Sequence, residues 1–317
     1  MNQTEGKHVK RLPRWVKVTV ITVLSVFLIG LIGASLYFYQ YAFVPEKKSF
    51  LNSKEDPQVV LAQKWLKQQP TQTWQETAAN SDLKLKALYV PAKPASNKTI
   101  VVAHGYMGKK EDMARYIQLF NRAGYNVLAP DDRGHGQSQG NYIGYGWPDR
   151  LDYTKWVKQV IAKNGQKSEI GLFGVSMGGA TVMYMSGEKL PTQVKAIVED
   201  CGYTSIEDEL TYQAKQMFNL PKYPLIPSVA LTASIKAGYN VFDAKTEPQL
   251  KKNKLPIFFI HGAKDTFVPT SMVYQNYAAT NAKKALWVVP GAKHAASLKT
   301  HPKAYQQKVT QWFARYL

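Results

Sequence analysis

Apolar and polar positions follow two regimes along this chain. From Val18 to Val44 the run VTVITVLSVFLIGLIGASLYFYQYAFV carries no charged side chain over 27 residues. As a helix it would reach about 40 Å, against roughly 30 Å of bilayer hydrocarbon, so a membrane-spanning helix is predicted over 18–45. Downstream the apolar runs shorten and alternate in period. Helical spacing of Val60, Leu61, Trp65 and Leu66 predicts a helix over 57–69, and the alternation from Leu83 to Tyr89 predicts a half-exposed strand. Thr99–Ala103 is a short apolar block suited to a strand buried on both faces.

The alternation then repeats. Helices are predicted over 111–123, 148–162 and 177–187, and strands over 125–129, 169–173 and 194–198. Two further strand-helix units follow, 257–260 with 271–279 and 286–289 with 302–316. Such a sequence argues for a parallel sheet with helices on both faces. Between Cys201 and Leu255 the pattern breaks into an aromatic and proline-rich stretch, NLPKYPLIP included, which reads as an inserted helical cap over about 202–254. An insertion beside strand ends commonly roofs a pocket.

Charge orients the N-terminal segment. Lys7, Lys10, Arg11, Arg14 and Lys17 precede the apolar run and only Lys47 and Lys48 follow closely, so residues 1–17 are expected in the cytoplasm and the body outside. Tyr37, Phe38, Tyr39, Tyr41 and Phe43 collect at the outer end, where aromatic rings favour headgroup depth. A cleaved signal peptide has a shorter apolar region ending in an A-x-A-like site; here the only small cluster is Ile32-Gly33-Ala34-Ser35, which favours an uncleaved single-pass anchor in the cell membrane. Residues 46–82 then read as a hinge and extension, and 83–317 as the folded domain.

Composition narrows the function classes. With 45% hydrophobic and 20% charged residues the chain is neither disordered nor polytopic. A single cysteine, Cys201, excludes an intrachain disulfide and a cysteine-built zinc site. The 41 Lys and Arg exceed the 22 Asp and Glu by 19; residues 1–48 hold seven bases and two acids, so the rest keeps 19 − 5 = +14. No basic-aromatic recognition helix accompanies that charge, so nucleic acid is not an expected partner; the basic surface offers contact with an anionic envelope polymer or lipid headgroups.

Candidate chemistry sits where a strand meets a helix. Ile170–Phe173 runs into Gly174-Val175-Ser176-Met177-Gly178 and a predicted helix, the context in which a G-x-S-x-G turn exposes a nucleophilic serine. Ser176 needs a base, and an imidazole suits neutral pH. His8 precedes the span, His104 and His261 sit in His-Gly pairs suited to packing or loop-orienting hydrogen bonds, His135 comes too early in the chain and His301 begins the last helix. His294 follows the last strand and emerges at the same sheet edge as Ser176. Its carboxylate partner is expected one strand earlier at Asp265, in HGAKDTFVP, with Asp200 as the alternative. For the oxyanion, backbone N–H groups are expected from Met177 and from Tyr106 in the loop HGYMG.

Through HGYMG, DDRGHGQS, GVSMGG, VEDCGYTS, HGAKDTFVP and GAKH, in that order, the stretch from Leu83 to Leu317 resembles the α/β-hydrolase superfamily. Within it the similarity is to membrane-anchored bacterial esterases, lipases and serine-aminopeptidase-like hydrolases. The resemblance implies an eight-stranded, mostly parallel sheet, a Ser-Asp-His triad, no cofactor and no metal, and a cap after the sixth strand. The loop departs from the HGGG form of many lipases. The expected function is therefore an extracytoplasmic serine hydrolase acting on small-molecule carboxylic esters of short or medium acyl chains. A serine peptidase of aminopeptidase type is the alternative, for which Glu207, Asp208 and Glu209 are the acidic cluster available in the cap; these three read as solvated helix-start charges. A non-catalytic surface protein that binds wall polymer or lipid is the alternative from another class.

Overall fold

Eight strands form one sheet in the order β1-β2-β4-β3-β5-β6-β7-β8. The computed structural model describes residues 13–46 and 56–317. The strands are β1 (Gln72–Thr77), β2 (Lys84–Val90), β3 (Lys98–Ala103), β4 (Asn126–Pro130), β5 (Glu169–Val175), β6 (Val194–Asp200), β7 (Ile257–Gly262) and β8 (Lys284–Val289). Pairs β1/β2 and β2/β4 are antiparallel and the remaining pairs are parallel. The central strands β4, β5, β6 and β7 are buried almost throughout, which is why they read as apolar blocks rather than alternating ones.

Helices cover both faces. One core layer holds Phe120, Phe173, Val198, Tyr305 and Phe313, and the other holds Trp156, Leu172, Ile197 and Phe259. The first layer is closed by α2 (Pro57–Lys67), α3 (Ala114–Arg122) and α11 (Pro302–Tyr316), the second by α4 (Asp149–Asn164) and α9 (Ser271–Ala279). Helix α5 (Met177–Met185) follows β5 directly, and its residues are all buried. The cap lies between β6 and β7 as α6 (Ile206–Phe218), α7 (Leu225–Ala237) and α8 (Thr246–Lys252). A short α10 (Ser297–Thr300) precedes α11.

The folded body starts earlier than Leu83. Asp56 caps α2 by accepting from the Gln58 N–H, and Ala62 and Leu66 of α2 are buried in the first core layer. Strand β1 was not legible as a strand because its sequence is QTWQET. As an edge strand it takes polar side chains: Trp74 stacks on Tyr89 at 4.5 Å and Thr77 Oγ1 accepts from Lys84 Nζ at 2.8 Å.

Helix α1 (Arg14–Phe43) is 30 residues long and apolar enough to cross a membrane. Its first two-thirds expose Val18, Ile21, Leu24, Leu28 and Ile32, whereas Ser35, Tyr39 and Phe43 are buried against the body. Part of the aromatic cluster packs on the body: Phe43 lies 5.0 Å from the Tyr145 ring, and Phe38 and Tyr41 lie edge-on to Phe218 of the cap. The expected hinge at 46–57 lies mostly outside the described residues, as does His8.

Candidate active site

Ser176 occupies the sharp turn from β5 to α5 with φ 58° and ψ −118°, a left-handed conformation costly for a side-chain-bearing residue. Its neighbours make the turn possible. A Cβ on Gly174 would stand 2.0 Å from the Gly178 carbonyl oxygen, and one on Gly178 would stand 2.2 Å from that of Ala103. The turn is held by the Ser176 N–H donating to the Asp200 carbonyl at 2.8 Å and by the Ala180 N–H donating to the Ser176 carbonyl at 3.0 Å.

His294, in the loop after β8, places Nε2 2.8 Å from Ser176 Oγ. Its Nδ1 lies 2.7 Å from Asp265 Oδ2. The three residues singled out in the sequence thus stand in hydrogen-bonded series. Asp265 is fixed from its other side, where Oδ1 accepts from the Phe267 N–H at 2.9 Å and the Val268 N–H at 3.0 Å. Burial would raise its pKa, but hydrogen bonds from His261 and His294 and the Phe267 amide outweigh it and hold the carboxyl down at about 2. His261 Nε2 is 2.9 Å from the Val268 carbonyl and 3.4 Å from Asp265 Oδ2, so it orients the loop that carries Asp265. The alternative acid is engaged elsewhere: Asp200 accepts from Ser297 Oγ at 3.0 Å and Tyr305 OH at 2.9 Å.

The loop after β3 lies beside the serine, since a Cβ on Gly105 would be 3.5 Å from Ser176 Cβ. Within it the Met107 N–H faces His135 Nε2 at 3.3 Å and the Gly108 N–H donates to the Gly105 carbonyl at 3.0 Å. Among the described residues the N–H groups of Tyr106 and Met177 have no protein acceptor. Two buried imidazoles brace this loop. His104 Nδ1 lies 2.8 Å from the Gly105 carbonyl and Nε2 accepts from the Asp132 N–H at 3.0 Å; His135 Nδ1 lies 2.9 Å from the Arg133 carbonyl. Burial lowers the pKa of both, that of His135 to about 3, so they stay neutral.

A cleft of about 770 Å³, counting its part open to solvent, leads from Ser176 between the cap and the end of α1. Its walls are apolar, with Met217, Phe218, Ile226 and Val229 from the cap. Two contributions were unforeseen. Phe38, Tyr41 and Ala42 of α1 line it, and so does Glu209. The three cap acids do not share one solvated environment: Glu207 pairs with Lys222 at 2.8 Å, Asp208 accepts from Thr204 Oγ1 at 2.9 Å, and Glu209 is buried. Glu209 Oε1 accepts from Gln213 Nε2 at 2.9 Å while Oε2 has no partner among the described residues, and burial raises its pKa to about 8. It belongs to the cleft because helix α6 turns its fourth residue inward, a signal that lay in helical spacing rather than in charge.

A family described as Serine aminopeptidase, S33 matches residues 94–239, which take in the HGYMG loop, the elbow and helices α6 and α7 of the cap. The fold extends the match: the esterase Pf2001 of Pyrococcus furiosus superposes with a TM-score of 0.64 at 23% identity, covering 84% of this chain and 95% of that one. The chain has the α/β-hydrolase fold. Among proteins similar to this chain, YqkD of Bacillus subtilis (strain 168) is 28% identical over 228 residues, 72% of this chain and 74% of that protein. The monoacylglycerol lipase of Mycolicibacterium smegmatis is 24% identical over 260 residues, 69% of this chain and 88% of the lipase.

Asp265 and His294 lie beyond the family match, so their place in the hydrolase rests on geometry. Cys201 Sγ, Asp265 and His294 also lie within 4.8 Å of one another, close enough for a metal. The donor set does not fit one. The Asp265 oxygens already accept from His294 and two amides, and burial raises the Cys201 thiol well above its ordinary pKa, away from the thiolate a metal needs.

Proposed function

We propose that this α/β-hydrolase is a serine hydrolase that cleaves carboxylic esters of short or medium acyl chains, anchored in the cell membrane by α1 with its body outside and its N-terminus in the cytoplasm. The observation that carries the reading is the series Ser176 Oγ, His294, Asp265 at 2.8 and 2.7 Å. Ser176 Oγ attacks the acyl carbonyl as His294 Nε2 takes its proton, and Asp265 stays ionised, holding the Nδ1–H tautomer. The Tyr106 and Met177 N–H groups donate to the oxyanion. Collapse expels the alcohol, which leaves with the proton from His294 Nε2; water then repeats the two steps on the acyl-enzyme. The apolar cleft suits an acyl chain and supports esters as substrates.

Full-length protein in detergent, assayed on a p-nitrophenyl ester series beside Ser176→Ala, tests the reading. Hydrolysis by the parent and its loss in the variant are expected; equal rates would refute it. Glu209 supports a second reading, since a carboxyl in the cleft can ionise beside a substrate ammonium group. Activity confined to aminoacyl amides and lost in Glu209→Gln would favour that peptidase reading.

A further inference from the structure

The end of α1 does more than leave the membrane. Its last turn is bound to the hydrolase body through the carbonyl groups that a helix C-terminus leaves without intrahelical donors. The Ala42 carbonyl accepts from Tyr106 OH at 2.8 Å and from Tyr145 OH at 3.0 Å, and the Phe43 carbonyl accepts from the Ile143 N–H at 2.7 Å. Phe38 and Tyr41 close on Phe218 of the cap at ring separations of 5.2 and 5.5 Å. These contacts leave Phe38, Tyr41 and Ala42 as one wall of the cleft that opens onto Ser176. Tyr106, whose side chain donates to the Ala42 carbonyl, is also the residue proposed above to donate its backbone N–H to the oxyanion.

The lengths agree with a site at the membrane surface. Leu31 and Ala34 already pack against the body and Ser35 is buried, so the undocked part of α1 is Arg14–Gly30, 17 residues. At 1.5 Å per residue that is about 26 Å, within one helical turn of the thickness of bilayer hydrocarbon. The cap beside the cleft has an apolar surface. Large hydrophobic side chains exposed outside α1 are Leu61, Met217, Phe218, Tyr223, Leu231, Ile235 and Tyr274 among the described residues, and five of these seven belong to the cap. Helix α7, which carries Leu231 and Ile235, packs along α1. An apolar cap surface joined to a membrane helix places the cleft mouth where an acyl chain leaves lipid.

We propose that Phe38, Tyr41 and Ala42 are specificity-determining residues of the acyl pocket, and that the substrate is an acyl ester resident in the membrane. The proposal rests on the serine esterase reading above. Its test uses full-length protein in lipid nanodiscs and p-nitrophenyl esters from acetate to laurate. Ala42→Phe fills the cleft and is expected to lower kcat/KM for octanoate by about tenfold or more relative to acetate, the scale on which an apolar pocket rejects added methylenes. Phe38→Ala enlarges the same wall and is expected to move the optimum to longer chains. Fluorophosphonate labelling of Ser176 reports that each variant keeps a working serine; if Ala42→Phe fails to label, Phe38→Ala decides. Wild-type chain-length profiles in the labelled variants would overturn the proposal while leaving the esterase reading intact. Absence of ester hydrolysis by the parent at every chain length would overturn the esterase reading, and the proposal with it.

Discussion

Replacing Asp265 with asparagine removes one charge and almost no volume, and the hydrogen bonds around it determine the outcome. Oδ1 accepts from two backbone N–H groups, Phe267 at 2.9 Å and Val268 at 3.0 Å, whereas Oδ2 faces His294 Nδ1 at 2.7 Å, with His261 Nε2 farther off at 3.4 Å and bonded to the Val268 carbonyl. An amide has one oxygen and can satisfy only one side. Turning its NH₂ toward the two backbone groups would strand buried donors at about 1–3 kcal/mol each, so the oxygen stays with the backbone. The NH₂ then faces His294, whose Nδ1 must become an acceptor, and the ring proton moves to Nε2, 2.8 Å from Ser176 Oγ. In that tautomer His294 cannot take the serine proton. The loss expected is on the order of 10⁴ in kcat, or roughly 5 kcal/mol of barrier, as for other triad carboxylates changed to amides. Ester hydrolysis and the rate of fluorophosphonate labelling should fall together while thermal stability changes little. An Asp265→Asn protein within tenfold of the parent, with its fold intact, would refute the reasoning.

Three further outcomes follow from the same geometry. Asp200→Asn loses one of two acceptors for Ser297 and Tyr305, and should cost about 1–3 kcal/mol in a thermal melt with kcat/KM within about threefold; an activity loss matching that of Asp265→Asn would reassign the acid. Burial raises the Glu199 carboxyl to about 8, above its unfolded value near 4, so the folded state holds a proton that the unfolded chain releases. That contribution is fully present below about pH 4 and is lost as pH rises toward 8, so melting temperature should decline less steeply between pH 5 and 8 in Glu199→Gln than in the parent. Protease added to intact cells should remove the hydrolase body, and protection of the body with an accessible N-terminus would reverse the proposed topology.

Local signals were read well from the sequence and distant ones were not. The strands β3 to β7 are buried on both faces and so stand out as apolar blocks, and the elbow at Ser176 needs only five consecutive residues. His294 and Asp265 could be ordered because each follows a strand that ends at one sheet edge. Strand β1 was missed because it pairs through its backbone at the sheet edge with mostly polar, exposed side chains, where no apolar alternation is required. The cluster from Tyr37 to Phe43 was seen, yet nothing within those residues says that Ala42 and Phe43 meet donors on Tyr106, Tyr145 and Ile143, about 60 to 100 positions away. Glu209 shares that difficulty: its neighbours on α6 face solvent or Lys222, and only the packing of the cap over the site shows that it faces inward.

The central claim is that Ser176 is the activated nucleophile. Full-length protein treated with a fluorophosphonate and digested for peptide mapping tests it most directly. One modified peptide is expected, carrying the adduct on Ser176, with labelling abolished in Ser176→Ala and slowed by orders of magnitude in His294→Ala. An adduct on another serine, or undiminished labelling in Ser176→Ala, would contradict it.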